Sequence, residues 1–210
     1  MQSDYASMDT QQRILCAGKT EFLACGFEGA SLRTIARNAG VTTGAIYGYY
    51  ADKRALFQAI VGEPGSELYS RFVEVQNQFA ALPPAVQQSQ MFSYSSGSLK
   101  ELFDLIYGNF DAFKLILCCS GGTEYENYLH SLVDIECQNT LLFLQVMQAH
   151  GQTKLKLSDN LNHILASAYF SAVFEVVAHD MARAEADEYV AKLTTFFHAG
   201  WQALLEMNPT

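Results

Sequence analysis

Residues 31–57 read SLRTIARNAGVTTGAIYGYYADKRALF and decide the fold of the first part of the chain. Apolar residues recur at three- and four-residue spacing on both sides of Gly40. This pattern predicts one helix that Ser31 can cap and that ends near Asn38, and a second helix with Thr42 as its N-cap. Two short helices joined by a tight glycine-containing turn form a helix-turn-helix candidate, although a generic corner between two helices has the same lengths.

Helical segments also flank this stretch. Residues 10–25 carry apolar side chains along one face, and Gly26 is expected to end that helix. Asp52 can cap a fourth helix, which residues 62–65 (GEPG) are expected to end or kink because proline lacks an N–H. The sequence therefore predicts an N-terminal domain at residues 9–62 and a second domain at residues 66–210.

The rest of the chain shows helical spacing and no clear alternating segment with a hairpin turn. We therefore expect an all-α protein with about nine to ten helices, in which a three-helix helix-turn-helix domain precedes a larger helical domain. Further helices are predicted near residues 66–81, 85–95, 98–107, 110–119, 123–149, 159–182 and 186–206.

Charge is distributed unevenly along the chain. The 210 residues carry a formal net charge of -9, which taken alone argues against binding to nucleic acid. Residues 1–60, however, contain six basic and five acidic side chains, whereas the remainder contains seven basic and seventeen acidic ones. This asymmetry indicates that the two parts have different partners.

The cysteines and the hydropathy pattern favour a reduced, cytoplasmic protein. Five cysteines occur without a CxxC pair, so we expect small apolar side chains rather than a zinc site, with a metal or redox role as the alternative. The first residues have no apolar signal region, and no uninterrupted apolar run reaches about 18 residues. We expect no membrane partner, no metal and no cofactor.

The N-terminal residues resemble the DNA-binding domain of TetR/AcrR-type transcriptional regulators. The resemblance covers about a quarter of the chain and includes the apolar positions, the turn glycines, a tyrosine in the third helix and the lysine before Ala-Leu-Phe. The matching residues are 13–15, 22, 26–27, 31–36, 39–50, 52–53 and 55–57. The resemblance implies a homodimer that binds a palindromic double-stranded DNA operator, represses transcription and is released by a small molecule in the second domain.

The same resemblance assigns roles within the N-terminal domain. Arg33 is expected to read a base, although a solvated surface charge is the alternative. Lys53 is expected to bind a phosphate together with free N–H groups at the start of its helix. Many relatives carry a basic residue in place of Thr43 and a larger one in place of Gly48. The full predicted DNA-binding set is Arg33, Thr42, Thr43, Gly44, Ala45, Tyr47, Tyr49 and Lys53.

Two further sites are predicted in the second domain. Aromatic residues at helical spacing can line a pocket for an apolar or aromatic effector, or can belong to the core; the pocket set is Tyr107, Phe110, Phe113, Tyr125, Phe143, Phe170 and Phe174. The last two helices can complete the core or form half of a four-helix interface with a second copy, which we favour. The predicted dimer set is Leu161, Leu165, Ala168, Leu193, Phe197, Trp201 and Leu204.

Two other functions are weighed against a DNA-binding regulator. Residues 120–123 (SGGT) could hold phosphate at a helix start, as in an enzyme, but they lack the lysine of a P-loop. A helical module that binds proteins and has lost DNA binding is the third possibility, and the retained Tyr47 and Lys53 count against it. We therefore expect a regulator and not an enzyme.

Overall fold

The computed structural model describes residues 8–206, and within this range the chain forms nine α-helices and no strand. The prediction of an all-α fold is confirmed. The helices are α1 Thr10–Gly29, α2 Leu32–Ala39, α3 Thr43–Tyr49, α4 Lys53–Ala80, α5 Pro84–Gly108, α6 Phe110–Cys118, α7 Tyr128–Ala149, α8 Asp159–Ala178 and α9 Arg183–Glu206.

The chain forms two compact units that are not contiguous in sequence. The first unit takes the chain up to Glu67 together with Asn109–Tyr128, and the second takes Leu68–Gly108 together with the chain from Leu129 onward. Helix α4 therefore supplies residues to both units, and α6 belongs to the first unit with α1 to α3. The functional domains at residues 9–62 and 66–210 remain a prediction.

Helix α4 does not end at residues 62–65, so the first of the two predicted alternatives, an end of the helix, is wrong. Pro64 lies inside the helix, and Gly62 and Gly65 on either side of it are buried. A Cβ atom added to Gly65 would lie 3.1 Å from a side-chain carbon of Ile116, which shows how closely that side chain approaches the helix. The hydroxyl of Tyr128 also donates to the Gly65 carbonyl at 2.7 Å. Tertiary packing thus stabilises α4 where its own sequence disfavours a helix.

Other helix boundaries differ for local reasons. Helix α5 is continuous through the predicted break at residues 95–97. The hydroxyls of Ser93 and Ser96 there donate to the carbonyl groups of Gln90 and Phe92, so these side chains follow the helix and do not interrupt it. Helix α7 begins at Tyr128 rather than near residue 123, since turns occupy the intervening residues. Helix α8 ends at Ala178 and α9 begins at Arg183, several residues earlier than predicted in both cases.

The core of the first unit is built around three phenylalanines. Phe57 of α4 contacts Phe22 and Phe27 of α1 edge-on, with ring centroids 5.1 Å and 5.4 Å apart. Helix α1 breaks at Gly26, as predicted, because this residue has a φ of 70° that only glycine adopts easily. The break lets the final turn of α1 bring Phe27 back onto the same cluster.

Helix α8 is long and apolar enough to cross a membrane by length and composition, a property shared by buried helices of protein cores. Its inward face is buried, and Asn162 on that face donates to the Cys137 carbonyl at 2.9 Å. The absence of a membrane partner therefore stays a prediction.

Candidate nucleic-acid interface and internal cavity

The turn between α2 and α3 is fixed by backbone geometry. Gly40 has φ 66° and ψ 36°, the left-handed conformation that favours glycine at the end of a helix. Its N–H and that of Val41 both bond to the Ala36 carbonyl, with the second bond at 3.0 Å. Thr42 then caps α3 as predicted, since its hydroxyl accepts from the Ala45 N–H at 3.1 Å. The two helices therefore have a defined relative orientation.

Ser31 occupies the N-cap position of α2, but its side chain makes no capping bond, contrary to the prediction. Its backbone N–H instead donates to the Glu21 carboxylate at 3.1 Å. An acidic group of α1 thus binds the first turn of α2, where the helix dipole favours negative charge. This contact joins α1 and α2.

Helices α2 and α3 expose a set of polar and small residues. This set is here named the α2–α3 surface and is defined by Arg33, Arg37, Gly44, Tyr47, Gly48 and Tyr49. The tyrosines are 55% and 50% exposed, respectively, so their hydroxyls are free to face a partner. Arg33 and Arg37 are exposed and form no hydrogen bond or ion pair within residues 8–206. Arg37 was not in the predicted set, although its position four residues after Arg33 places it on the same helical face.

The two glycines of α3 are not required by packing within the chain. A Cβ atom at Gly48 would meet nothing within 4 Å, and one at Gly44 would meet only the Thr42 hydroxyl at 3.8 Å. Both glycines are exposed, and neither has the positive φ that would demand glycine. Their small size therefore leaves room for close approach of an external partner to the helix backbone.

Opposite this surface, α3 is anchored by two buried side chains. Ile46 is inaccessible to solvent, and Tyr50 is buried, with its hydroxyl 3.4 Å from the Gln11 side-chain amide. Thr43 and Ala45 are half-buried at the edge between the two faces. Helix α3 is thus held rigidly with one face outward, which is the arrangement a recognition helix requires.

Lys53 lies in a different environment from the one predicted. Its ammonium group donates to the carbonyls of Glu28 and Ala30 at 3.0 Å and 3.1 Å, and lies 4.6 Å from the centre of the Phe27 ring. The carbonyl end of a helix attracts a cation, so Lys53 binds the last turn of α1. The Asp52 carboxylate meanwhile accepts from the Ala55 N–H at 2.7 Å. Phosphate binding by Lys53 therefore stays a prediction, alongside an observed role in joining α1 to α4.

The glycine-containing segment at residues 120–123 satisfies its own polar groups. The Ser120 and Thr123 hydroxyls donate to backbone carbonyls at 2.6 Å and 2.7 Å. The Gly122 N–H donates to the Glu126 carboxylate at 3.1 Å. An acidic side chain thus occupies the position where a phosphate would bind, and α7 begins only at Tyr128. The geometry gives no support to the phosphate-binding alternative.

The second unit contains a cavity of about 640 Å³ between α4, α5, α7, α8 and α9. Phe143, Phe170 and Phe174 of the predicted pocket set line it. The other four predicted residues do not line this cavity. Phe110, Phe113 and Tyr125 belong to the first unit, and Tyr107 donates to the Met181 carbonyl at 2.9 Å. Helical spacing identified aromatic residues on inward faces but not which interior they face.

A carboxyl group lies in the wall of this cavity and was not identified from the sequence. Glu136 of α7 accepts from the Gln76 amide nitrogen at 2.6 Å and from the Thr140 hydroxyl. Burial raises the pKa of the Glu136 carboxyl, and these two hydrogen bonds oppose that increase. Burial also lowers the pKa of His198, so this imidazole favours its neutral form.

The predicted dimer residues are divided between two environments. One group lies on the outside of the helices: Leu161 and Ala168 are exposed, and Leu193 and Leu204 are half-buried. The other group, Leu165, Phe197 and Trp201, lines the cavity. Ile164 and Phe196 were not in the predicted set, yet they are 60% and 74% exposed. The exposed apolar residues on the last two helices form the α8–α9 surface, defined by Leu161, Ile164, Ala168 and Phe196.

The described part of the chain contains no group of three or more His, Cys, Asp or Glu residues that could hold a metal ion. All five cysteines are free. Burial raises the pKa of the Cys119 and Cys137 thiols, which favours the unreactive protonated form.

Comparison with known proteins identifies the N-terminal domain. The family profile described as "Bacterial regulatory proteins, tetR family" matches residues 14–60. The HTH-type transcriptional repressor BepR of Brucella suis is 44% identical over 54 residues, which is 26% of each chain. The HTH-type transcriptional regulator SrpR of Pseudomonas putida is 43% identical over 53 residues, or 25% of each chain. The chain thus aligns with about a quarter of the length of these relatives.

A solved structure extends the similarity of fold to most of the chain. A TetR transcriptional regulator family member from Streptomyces coelicolor aligns over 88% of each chain, with a TM-score of 0.59 and 17% identity. This likeness concerns the fold, whereas the sequence identity is concentrated in the N-terminal domain. Residues 14–60 therefore match the tetR family profile, and most of the chain shares the fold of a solved TetR-family structure.

Proposed function

We propose that this protein is a cytoplasmic, homodimeric transcriptional repressor that binds a palindromic operator and is released when a small molecule enters the cavity of the second unit. The observation that carries the proposal is the α2–α3 surface. It combines two arginines without internal partners, exposed tyrosine hydroxyls and two glycines that have open space above them. No catalytic reaction is part of this proposal.

The chemistry of the α2–α3 surface matches that of a DNA groove. Arginine can bind guanine through two hydrogen bonds, and tyrosine hydroxyls can donate to phosphate oxygens. The open space at Gly44 and Gly48 would allow the backbone of α3 to approach the DNA closely. Because few cations are present, we expect hydroxyls and backbone amides to make a large share of the phosphate contacts.

The α8–α9 surface supports the proposed dimer. Large apolar side chains such as Phe196 and Ile164 are exposed there beside Ala168, whose small side chain permits close helix packing. A second copy that presents the same surface would remove these groups from water. A two-fold dimer would present two copies of α3 to half-sites one turn of DNA apart, about 34–36 Å, or a multiple of that distance.

The cavity supports the proposed response to a ligand. Its volume of about 640 Å³ lies in the range of sites for small molecules, and its walls are mainly apolar. Helix α4 contributes Phe72 and Gln76 to the cavity and Lys53 and Phe57 to the first unit. A ligand that favours one position of α4 would shift the population of conformations competent for DNA binding. NalD of Pseudomonas aeruginosa, described as a repressor of a multidrug efflux pump, has a similar fold with a TM-score of 0.54 and 16% identity.

The direct test is DNA binding by the purified protein. We expect it to select fragments with an inverted repeat from a pool of genomic DNA, with an affinity that falls as salt increases. Arg33→Ala should relax base preference at one position of each half-site, and Arg37→Ala should weaken binding. Lys100→Ala, which removes an exposed charge on α5, is the matched control. Failure to select any sequence over random DNA at low salt would reject the proposal.

A further inference from the structure

We propose that Glu136 makes the cavity selective for small molecules that combine an apolar, aromatic body with one basic nitrogen. This inference rests on the proposed function only in treating the cavity as the effector site. It assigns to that site a chemical class of ligand and the residue that recognises it.

The contacts of Glu136 show an acid with no cation of its own. Its carboxyl group accepts hydrogen bonds from Gln76 and Thr140, which are both neutral. No lysine or arginine is among the described residues that line the cavity, and Glu136 has no ion pair with any part of the chain between residues 8 and 206. The two hydrogen bonds orient the carboxyl group but leave its charge uncompensated.

The surroundings make that uncompensated charge costly. Burial raises the pKa of the Glu136 carboxyl, because the apolar walls solvate an anion poorly. A cationic nitrogen close to the carboxylate would stabilise the charged form and would gain a charge-assisted hydrogen bond. A carboxyl group in such a site therefore favours a basic ligand over a neutral ligand of the same shape.

The other titratable groups of the cavity do not reverse this preference. His198 is half-buried, packs against Phe92 at 4.5 Å between ring centres, and has a pKa lowered by burial. The Nδ1 atom of His150, just after α7, lies 2.9 Å from the Val146 carbonyl oxygen in the last turn of that helix, so this nitrogen already has a partner. Burial also raises the pKa of Tyr169, which keeps its phenol neutral. Glu136 is thus the charged group that a ligand would meet.

The side chains that line the cavity indicate that the ligand is largely aromatic. The cavity of about 640 Å³ is lined by aromatic and aliphatic side chains from five helices, among them Phe72, Phe143 and Phe170. Phe72 and Phe170 contact each other edge-on, with ring centroids 5.5 Å apart, so this wall of the cavity consists of packed aromatic carbon that suits a ring system. A polycyclic aromatic group that carries a short aminomethyl arm fits these features.

Three fluorescent probes of nearly equal shape test the inference, namely 1-pyrenemethylamine, 1-pyrenemethanol and 1-pyrenecarboxylate. Their dissociation constants are measured by pyrene emission with the full-length protein at neutral pH and without DNA. We expect the protein to bind the amine at least about tenfold more tightly than the alcohol, and the carboxylate most weakly. This comparison uses the unmodified protein, so it does not depend on a variant folding correctly.

Glu136→Gln tests whether the charge of Glu136 causes the preference for the amine. This variant keeps the size and a hydrogen-bond acceptor but removes the charge, so affinity for the amine should fall to within about threefold of the alcohol. Affinity for the alcohol should change by less than about threefold. Glu74→Gln is the matched control, because Glu74 is exposed and does not line the cavity. It should leave the order of the three probes unchanged.

Each contrary result overturns the inference. Equal affinity for the amine and the alcohol would show that the carboxyl group does not select ligands, and failure of all three probes to bind would exclude an aromatic amine site. If Glu136→Gln still binds the amine more tightly than the alcohol, or if Glu74→Gln no longer does, a group other than Glu136 causes the preference for the amine. A failure of the proposed repressor function would instead appear as absent operator binding, which these measurements do not involve.

Discussion

The α2–α3 surface and the α8–α9 surface both consist largely of exposed side chains, but they differ in chemistry. The first presents guanidinium groups, tyrosine hydroxyls and the open backbone of glycines. The second presents aliphatic and aromatic carbon, with Phe196 the most exposed of the large apolar residues. Polar donors suit a hydrated, negatively charged partner, whereas exposed carbon suits a partner that removes water.

This difference suits each surface to a different kind of partner. A second protein copy packed on Arg33 and Arg37 would have to desolvate two charges, and DNA would gain nothing from contact with Phe196. The proposed repressor needs both surfaces, since a palindromic operator is read by two copies of α3. Four substitutions test this contrast, and the expected effect decreases from the first to the last.

Phe196→Asp should abolish the dimer. An aspartate in the middle of an apolar interface would be buried without a partner, so we expect the dissociation constant of the dimer to increase at least about 100-fold. Sedimentation equilibrium at micromolar concentration measures this change directly. Because Phe196 is 74% exposed, its replacement should not affect the helical content measured by circular dichroism.

Tyr69→Asp is the control for this substitution. Tyr69 is an exposed aromatic residue of α4 that lies outside the α8–α9 surface, and its replacement should leave the dimer intact. If Phe196→Asp remains dimeric while Tyr69→Asp dissociates, the two-copy interface lies elsewhere and the contrast between the surfaces fails.

The sequence predicted one apolar stripe on α9, whereas the structure places its residues in two different environments. Phe197 and Trp201, predicted at the dimer interface, line the cavity, whereas the adjacent Phe196 is exposed. Helix α9 carries apolar residues on two faces, and helical periodicity does not state which face meets the interior. The α2–α3 surface was more predictable, because its helices and the Gly40 turn follow each other directly and use local signals such as the Thr42 cap.

Gly44→Ala tests whether DNA approaches the backbone of α3 closely at the open space above Gly44. Alanine suits a helix better than glycine, and nothing in the chain blocks its Cβ atom, so the variant should gain up to about 1 kcal/mol in free energy of unfolding. If DNA approaches the helix backbone at this position, the added methyl group should weaken operator binding about 10- to 100-fold. Urea unfolding and fluorescence anisotropy with the selected operator measure the two effects.

Gly97→Ala provides the matched control for α3. Gly97 lies within α5, and a Cβ atom there also meets nothing within 4 Å. The substitution should therefore stabilise the fold without changing operator affinity. Unchanged DNA binding by Gly44→Ala would show that α3 does not approach the DNA at this residue.

Lys53→Met separates the predicted contact with phosphate from the observed contact with α1. The variant loses the hydrogen bonds to Glu28 and Ala30, and we expect it to lose about 1–2 kcal/mol in free energy of unfolding. If Lys53 also binds a phosphate, the slope of log affinity against log salt concentration should decrease in magnitude by about one. An unchanged slope with reduced stability would assign Lys53 to positioning α1 alone.

Lys19→Met is the control for the loss of a lysine. Lys19 is on α1 and forms a surface ion pair with Asp111 at 2.6 Å, a contact that contributes little to stability. Its replacement should change unfolding by less than about 1 kcal/mol and leave the salt slope intact. A change in slope as large as that of Lys53→Met would mean that general electrostatics, rather than a specific phosphate contact, is being measured.

The cavity was the least predictable feature, because it is assembled from residues that are far apart in sequence. Glu136 stands in an acid-rich chain, and only the tertiary structure places Gln76 of α4 beside it. The continuity of α4 was also missed, since the helix-breaking residues 62–65 are compensated by contacts from Ile116 and Tyr128. Local signals predict local structure, whereas a site between five helices depends on how those helices pack.

Glu136→Gln should produce the smallest effect, a change in how stability depends on pH. Burial raises the pKa of the Glu136 carboxyl above its unfolded value, so this group favours folding at low pH and its contribution is lost as pH rises through the folded pKa. The titratable neighbours coupled to it, Tyr169 and Cys137, have raised pKa values and remain neutral in this range. The variant should therefore become more stable relative to the unmodified protein as pH rises from 4 to 8, as measured by urea unfolding.

Glu74→Gln is the control that shows whether the change in pH dependence requires an acid in the cavity rather than an acid on the surface. Glu74 is an exposed acid whose carboxylate accepts from Gln78 at 3.0 Å, so its removal should have little influence on the pH dependence. A parallel pH profile for Glu136→Gln and the unmodified protein would mean that water solvates the Glu136 carboxyl as well as it solvates a surface acid. In that case a cationic ligand would gain no more at Glu136 than at the protein surface, and 1-pyrenemethylamine and 1-pyrenemethanol should bind with equal affinity. If the Glu136 carboxyl group distinguishes the cavity from the exposed surfaces, Glu136→Gln must therefore change both the pH dependence of unfolding and the relative affinities for the amine and the alcohol.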